Sequence, residues 1–121
     1  FAYGQTGSGK TYTMEGDTNN INDINRGIIP RSIEKIFDYK NELTKNGWEY
    51  QFKASYLEIY NEKIKDLLVN RKENLDQNLE LLQKKNPFNK NKTEVFVKDL
   101  SIHIVNGSHD VYKLLNKAKE N

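Results

Sequence analysis

The chain holds 121 residues, with 19 Lys and Arg against 17 Asp and Glu and a net charge of +2, and 36% of its residues are apolar. That length allows one domain, or part of one, with a modest core, and the near-balanced charge gives no global signal for a nucleic-acid partner. The absence of cysteine excludes disulfides and cysteine-ligated zinc, no apolar run is long enough to cross a bilayer, and the triplets Asn91-Lys92-Thr93 and Asn106-Gly107-Ser108 are chance glycosylation patterns in an asparagine-rich chain.

The chain opens on Phe1-Ala2-Tyr3-Gly4-Gln5-Thr6-Gly7-Ser8-Gly9-Lys10-Thr11-Tyr12-Thr13-Met14. Gly4 to Thr11 satisfies G-x-x-x-x-G-K-[ST] at every fixed position and adds Gly7. A triphosphate concentrates negative charge in a small volume, and backbone N–H groups leading into a helix N-terminus hold it well. Glycines let that backbone come close. Lys10 is then placed to reach the β- and γ-phosphates, and the Thr11 hydroxyl to ligate the bridging Mg2+. Phe1-Ala2-Tyr3 reads as a strand end and Tyr12-Thr13-Met14 as a first helical turn. The bland alternative is a glycine-rich turn without a ligand.

Asp17 to Asn25 is polar, has neither a helical nor a strand period, and reads as a surface loop. Gly27-Ile28-Ile29-Pro30 restarts structure, with Pro30 suited to a first helical position. Ile33, Ile36, Phe37 and Leu43 follow at helical spacing, and Asn46-Gly47 is a C-terminal stop. From Trp48 the period becomes two: Trp48, Tyr50, Phe52, Ala54 and Tyr56 alternate with polar residues, which reads as one strand running towards Tyr60. Tyr56-Leu57-Glu58-Ile59-Tyr60 is apolar on both faces apart from Glu58, as a central strand covered by helices is. Glu58 there is a structural carboxylate in preference to a catalytic base. Asn61 is expected to cap a short turn, Glu62 to Asp66, before Leu67-Leu68 return to the core.

Leu79 to Leu82 is a weak strand. Lys84 to Lys92 then forms a turn in which Lys84, Lys85, Lys90 and Lys92 stand without an acid. It is either a solvated hairpin tip or a contact for an acidic partner. Thr93 to Val105 reads as mostly strand. Ser108 is the expected N-cap of a closing helix that carries Val111, Tyr112, Leu114, Leu115 and Ala118 inward. His103 and His109 have no partner at ligand spacing, so neither is assigned to metal or catalysis.

Two strings, F-A-Y-G-Q-T-G-S-G-K-T-Y-T-M at Phe1 to Met14 and S-Y-L-E-I-Y-N-E-K-I-K-D-L-L at Ser55 to Leu68, resemble the kinesin motor domain, and G-I-I-P-R at Gly27 to Arg31 is similar to the same family. V-K-D-L-S-I-H-I-V with D-V-Y-K-L-L-N-K-A, and Gly47-Trp48-Glu49-Tyr50, most nearly resemble the C-terminal-motor, minus-end-directed kinesins. The resemblance implies an α/β P-loop NTPase fold with a central mixed β-sheet flanked by helices and a peripheral β-hairpin. Residues 1–121 are then a partial motor domain, from the phosphate loop to the helix before the first switch. The arginine-proline adenine clamp, the N-terminal strands and the switches N-x-x-S-S-R-S-H and D-L-A-G-S-E are expected outside it, so the piece alone is not expected to hydrolyse ATP.

Carried over residue by residue, the resemblance assigns Gly4, Gln5, Thr6, Gly7, Ser8, Gly9 and Lys10 to the phosphates of ATP or ADP, Thr11 to Mg2+, and Tyr12 to the adenine. It places Lys84, Lys85, Lys90 and Lys92 on the side facing the microtubule. It further implies a microtubule-dependent ATPase on the cytoplasmic cytoskeleton, dimeric through a coiled coil elsewhere, with neither nucleic acid nor membrane as partner. Two alternatives stay open: a motor-like module that grips microtubules without hydrolysis, and a P-loop enzyme of another class.

Overall fold

The computed structural model describes residues 1–17, 24–70, 77–89 and 91–121. Two compact units make up the chain, Phe1–Tyr50 and Gln51–Asn121.

In the first unit, α1 (Lys10–Glu15) and α2 (Ile28–Lys45) lie against each other. Their connection is closed at its base. Gly16 bridges Arg26, Asp17 N–H donates to Asn25 O at 3.1 Å, and Gly27 N–H donates to Glu15 O at 3.1 Å. A Cβ on Gly16 would stand 2.3 Å from Asn25 O, so the close backbone approach requires glycine. Arg26 closes the same corner from outside, its Nη1 reaching both carboxylate oxygens of Glu34 at 2.5 and 2.6 Å. Arg31 then donates to the carbonyls of Arg26 at 3.0 Å and Ile24 at 2.7 Å.

The helical period of Ile33, Phe37 and Leu43 is realised in α2, where those side chains are half-buried and Ile36 is exposed. Asn46 and Gly47 end the helix as expected, their N–H groups donating to Leu43 O and Thr44 O, with Gly47 at φ 85°. Pro30 falls in the first turn, two residues after the helix begins. Phe1 to Tyr3, expected as a strand end, is not a strand. Extended backbone becomes a strand only when a neighbour takes its hydrogen bonds, and among the described residues none does.

The described residues of the second unit form three antiparallel pairs and a helix. β1 (Phe52–Ala54) pairs with β6 (His103–Val105), β2 (Leu57–Tyr60) with β3 (Lys63–Asp66), and β4 (Leu81–Lys85) with β5 (Thr93–Val97). The final helix, α3, spans Ser108–Glu120. The strand expected from Trp48 to Tyr60 is therefore two short strands. Trp48 and Tyr50 remain exposed outside them, stacked on each other with centroids 6.3 Å apart. Among the described residues no helix covers β2 on both faces: Glu58 is exposed and sits opposite Lys65, and Ile59 and Tyr60 are 67% and 73% exposed.

The turn expected at Glu62 to Asp66 is instead a two-residue hairpin loop. Asn61 and Glu62 both take positive φ, 48° and 61°, and Tyr60 pairs with Lys63. Consecutive left-handed residues are the mark of the primed turn whose twist suits a hairpin, and Asn is among the few side chains that tolerate that region. β3 then runs into the core, whose buried residues are Ile64, Leu68, Val105 and Ala118 together with a fully buried Asp66. The outer edge of β3 is completed by side chains. Gln77 Oε1 accepts Asp66 N–H at 2.8 Å, Asn78 Oδ1 accepts Ile64 N–H at 3.2 Å, and Leu79 N–H donates to Ile64 O at 2.9 Å. An edge that would attract another chain is thereby blunted.

The run from Thr93 to Val105 is interrupted at Asp99, which sits at φ 59°. Ser108 does not cap α3. Gly107 holds the cap position without a side-chain bond, and Asp110 Oδ2 accepts the Asn106 N–H at 2.9 Å. A carboxylate in the first helical turn suits the positive end of the helix dipole. At its other end, Asn121 Nδ2 donates to Leu67 O and Val69 O, each at 2.8 Å, tying the helix terminus to the turn after β3.

Candidate functional site

The Gly4 to Thr11 segment folds as its glycine spacing predicts. Gly4, Gly7 and Gly9 all take positive φ, 155°, 82° and 94°. A tight turn within the loop is closed by Ser8 N–H donating to Gln5 O at 3.1 Å, and α1 begins with Thr13 N–H donating to Gly9 O at 2.9 Å. Helix geometry leaves the amides of Lys10, Thr11 and Tyr12 without a helical acceptor, so three donors point out of the N-terminus beside the loop. Gly4 is required twice over, because its φ disfavours other residues and an added Cβ would meet Ser8 Oγ at 2.6 Å. At Gly7 and Gly9 an added Cβ would meet no protein atom within 4 Å, which leaves open space above the loop for an incoming anion.

Lys10 closes the arrangement. Its ammonium donates to Gly4 O at 2.6 Å and to Gln5 O at 2.9 Å, so the charge is held over the loop that precedes its own helix. Gln5, Thr6, Ser8, Thr11 and Tyr12 are exposed around it, Tyr12 by 59%. A mobile cation, outward-facing amides and glycines with free space above them are the donor set that a polyphosphate needs, and the Thr11 hydroxyl is a hard oxygen ligand suited to Mg2+. Among the described residues, no three His, Cys, Asp or Glu side chains gather closely enough to hold a metal by themselves. His103 sits in β6 with Nε2 buried and, among the described residues, without a hydrogen-bond partner, and His109 is exposed at the start of α3.

The lysines assigned to a filament contact are partly brought together. Lys84 and Lys85 belong to β4, paired with Glu94 and Thr93, and not to the turn. As neighbours on a strand they point to opposite faces of the hairpin. Lys92 lies on the return, where its N–H donates to Asn89 O at 2.9 Å and its carbonyl accepts Asn86 N–H at 2.8 Å. Lys90 lies outside the described residues. The basic groups therefore flank the hairpin end on more than one side and do not form a single flat patch. Glu94, just beyond the basic run, is engaged by Asn86 Nδ2.

Residue patterns mark the turn around Asn86, where Asn86-Pro87 is a turn signal, but not the Gln77 and Asn78 edge or the Arg26–Glu34 pair. Asn and Gln side chains that substitute for backbone partners carry no periodic signal, and an ion pair eight residues apart across a helix start falls outside helical spacing.

Comparison with known proteins places this geometry. The family model of the kinesin motor domain matches residues 1–121. The chain is 48% identical over 122 residues to carboxy-terminal kinesin 2 of Xenopus laevis, covering all of this chain and 18% of that protein. It is 40% identical over 121 residues to the claret segregational protein of Drosophila melanogaster, again over all of this chain and 15% of the relative. Over 69 residues, 57% of the chain, it is 54% identical to human kinesin-like protein KIFC1, of which it covers 10%. The chain thus spans less than a fifth of the length of these curated relatives. Its phosphate-type loop, its Ser55 to Leu68 string and its end-to-end match show that the chain belongs to the kinesin motor domain family.

Proposed function

We propose that this chain is the nucleotide-binding part of a motor that couples ATP binding and hydrolysis to movement along microtubules. The observation that carries the reading is the Lys10 ammonium poised at 2.6 and 2.9 Å over the carbonyls of a loop whose three glycines all take positive φ. Gly4, Gln5, Thr6, Gly7, Ser8 and Gly9 would surround the phosphates, Lys10 would exchange its two carbonyls for phosphate oxygens, Thr11 would ligate Mg2+, and Tyr12 would lie along the adenine. When bound, Mg-ATP supplies the phosphoryl group that water accepts; the residues here bind and orient it.

In this reading the three antiparallel pairs belong to a central mixed sheet flanked by helices, with β4–β5 as its peripheral hairpin. Exposed Ile59, Tyr60, Ile102 and Ile104 support it, because apolar sheet residues left in water are covered in an assembled P-loop fold. Lys84, Lys85 and Lys92 support a microtubule contact at the hairpin end, since an acidic filament attracts clustered cations. The protein would work in the cytoplasm on microtubules, as a dimer joined outside these residues.

The test is Lys10→Ala in the full-length protein. Microtubule-stimulated ATP turnover and nucleotide retention are both expected to vanish, and undiminished turnover overturns the assignment. Unmodified protein that sediments with microtubules yet never hydrolyses ATP would identify a binding module, and a nucleotide-dependent activity indifferent to microtubules would identify a P-loop enzyme of another class.

A further inference from the structure

Phe88 stands at the end of the β4–β5 hairpin with 97% of its surface in water, and hydrogen bonds tie the described residues of the turn that carries it. Asn86 Oδ1 accepts the N–H groups of Phe88 at 2.8 Å and Asn89 at 3.0 Å. The Asn86 amide donates to Glu94, and its backbone N–H donates to Lys92 O at 2.8 Å. Asn89 repeats the device, with Oδ1 accepting Asn91 N–H at 3.1 Å and its carbonyl accepting Lys92 N–H at 2.9 Å. Pro87 fixes φ between them. Side chains that bond the backbone two and three residues on are the means by which short loops hold one shape. Leu82 and Phe96, paired across the hairpin, are exposed as well, and the Phe88 ring packs on neither.

A phenyl ring held out in water by a preset turn loses little freedom when it is buried by a partner, so its apolar area converts efficiently into affinity. Around its base stand Lys84, Lys85 and Lys92, on both faces of the hairpin and on its return. An aromatic centre inside a charged rim is the arrangement of an interface anchor. We propose that Phe88 is the apolar anchor of the microtubule contact: its ring enters a pocket on the filament while the three lysines meet the acidic surface around that pocket. The proposal rests on the reading that this hairpin end faces the microtubule. The two contributions differ in kind. Lysine attraction is screened by salt, whereas burial of the ring is not.

The experiment is co-sedimentation of the full-length protein with stabilised microtubules across a potassium chloride series. Phe88→Ala is expected to raise Kd about tenfold at every salt concentration, leaving the slope of log Kd against log salt unchanged, with Phe88→Leu falling between it and the unmodified protein. Because Phe88 is no part of the phosphate loop, ATP turnover without microtubules should not change. The triple substitution Lys84→Ala, Lys85→Ala, Lys92→Ala should instead flatten the slope. A flattened slope for the lysine variant with unaltered Kd for Phe88→Ala overturns the anchor and keeps the hairpin contact. Unaltered binding by both variants overturns the hairpin contact and the anchor with it. Loss of binding to vesicles containing phosphatidylserine by Phe88→Ala, with microtubule affinity intact, would assign the ring to a lipid surface and overturn the proposal.

Discussion

The buried carboxylate of Asp66 accepts the Ser101 N–H at 2.6 Å through one oxygen and the Leu68 N–H at 2.8 Å through the other. The first of these bonds spans 35 residues and fastens the entry to β6 onto the end of β3. Asp66→Asn would leave an amide NH2 facing one of those backbone donors. We expect it to cost about 2–3 kcal/mol, the scale of a hydrogen bond to a charged group lost inside a protein. Denaturant titration should show the shift, and hydrogen exchange should accelerate at the Ser101 and Leu68 amides. Unchanged protection at Ser101 would mean the bond does not hold the two segments together.

Gly4→Ala forces a Cβ to within 2.6 Å of Ser8 Oγ at a φ of 155°. Because Gly4 also presents a carbonyl to Lys10, the disturbance reaches the ammonium. Nucleotide affinity is expected to fall at least tenfold, about 1.4 kcal/mol, with helix content by circular dichroism unaltered. Equal affinity, measured by displacement of a fluorescent ADP analogue, would show that the loop reshapes freely.

Arg26 and Glu34 meet through two short bonds with side chains 24% and 33% exposed. Glu34→Gln and Arg26→Lys should each lower stability by about 1 kcal/mol, since the glutamine removes the charge, the shorter lysine does not place its ammonium where Nη1 meets both oxygens, and the partial exposure tempers the cost of an unpaired charge. Thermal unfolding of the two single variants and the double variant checks this. Strict additivity in that cycle would show that the pair does not interact.

Glu62 occupies the second left-handed position of the β2–β3 turn, where glycine is favoured. Glu62→Gly should raise stability by about 0.5–1 kcal/mol, with relief of left-handed strain exceeding the added entropy of the unfolded chain. Asn61→Val should lower it by about 1–2 kcal/mol, because a branched side chain resists that region. A denaturation midpoint that moves the other way for Glu62→Gly would contradict the turn.

Legibility in the residue string followed the range of the forces involved. The phosphate loop and the course of α2 were readable because their determinants are local: glycines that alone accept positive φ, an apolar stripe at helical period, and Asn46-Gly47 at its end. The β4–β5 hairpin was readable in outline but not in its bounds, and the β2–β3 hairpin was not, because strands are defined by partners elsewhere in the chain. Trp48 and Tyr50 alternate like strand residues but lack a ladder, and Lys84 and Lys85 look like turn residues until Glu94 and Thr93 pair with them. Asn61 was ambiguous in another sense, since one residue type serves both as a helix cap and as a left-handed turn former. Gln77 and Asn78 finish the edge of β3 with side-chain oxygens, a use that no propensity describes.

The closed corner at Gly16, Arg26 and Gly27 has a consequence for construction. The helix that carries Lys10 and Thr11 and the helix that begins at Ile28 are joined to each other by the Gly16 to Arg26 bridge and its two flanking hydrogen bonds. Backbone contacts at Gly16, Arg26 and Gly27 therefore help to set the aim of one helix against the other. A labelling site belongs away from that corner, because an added Cβ would stand 2.3 Å from backbone at Gly16 and 2.5 Å from it at Gly27.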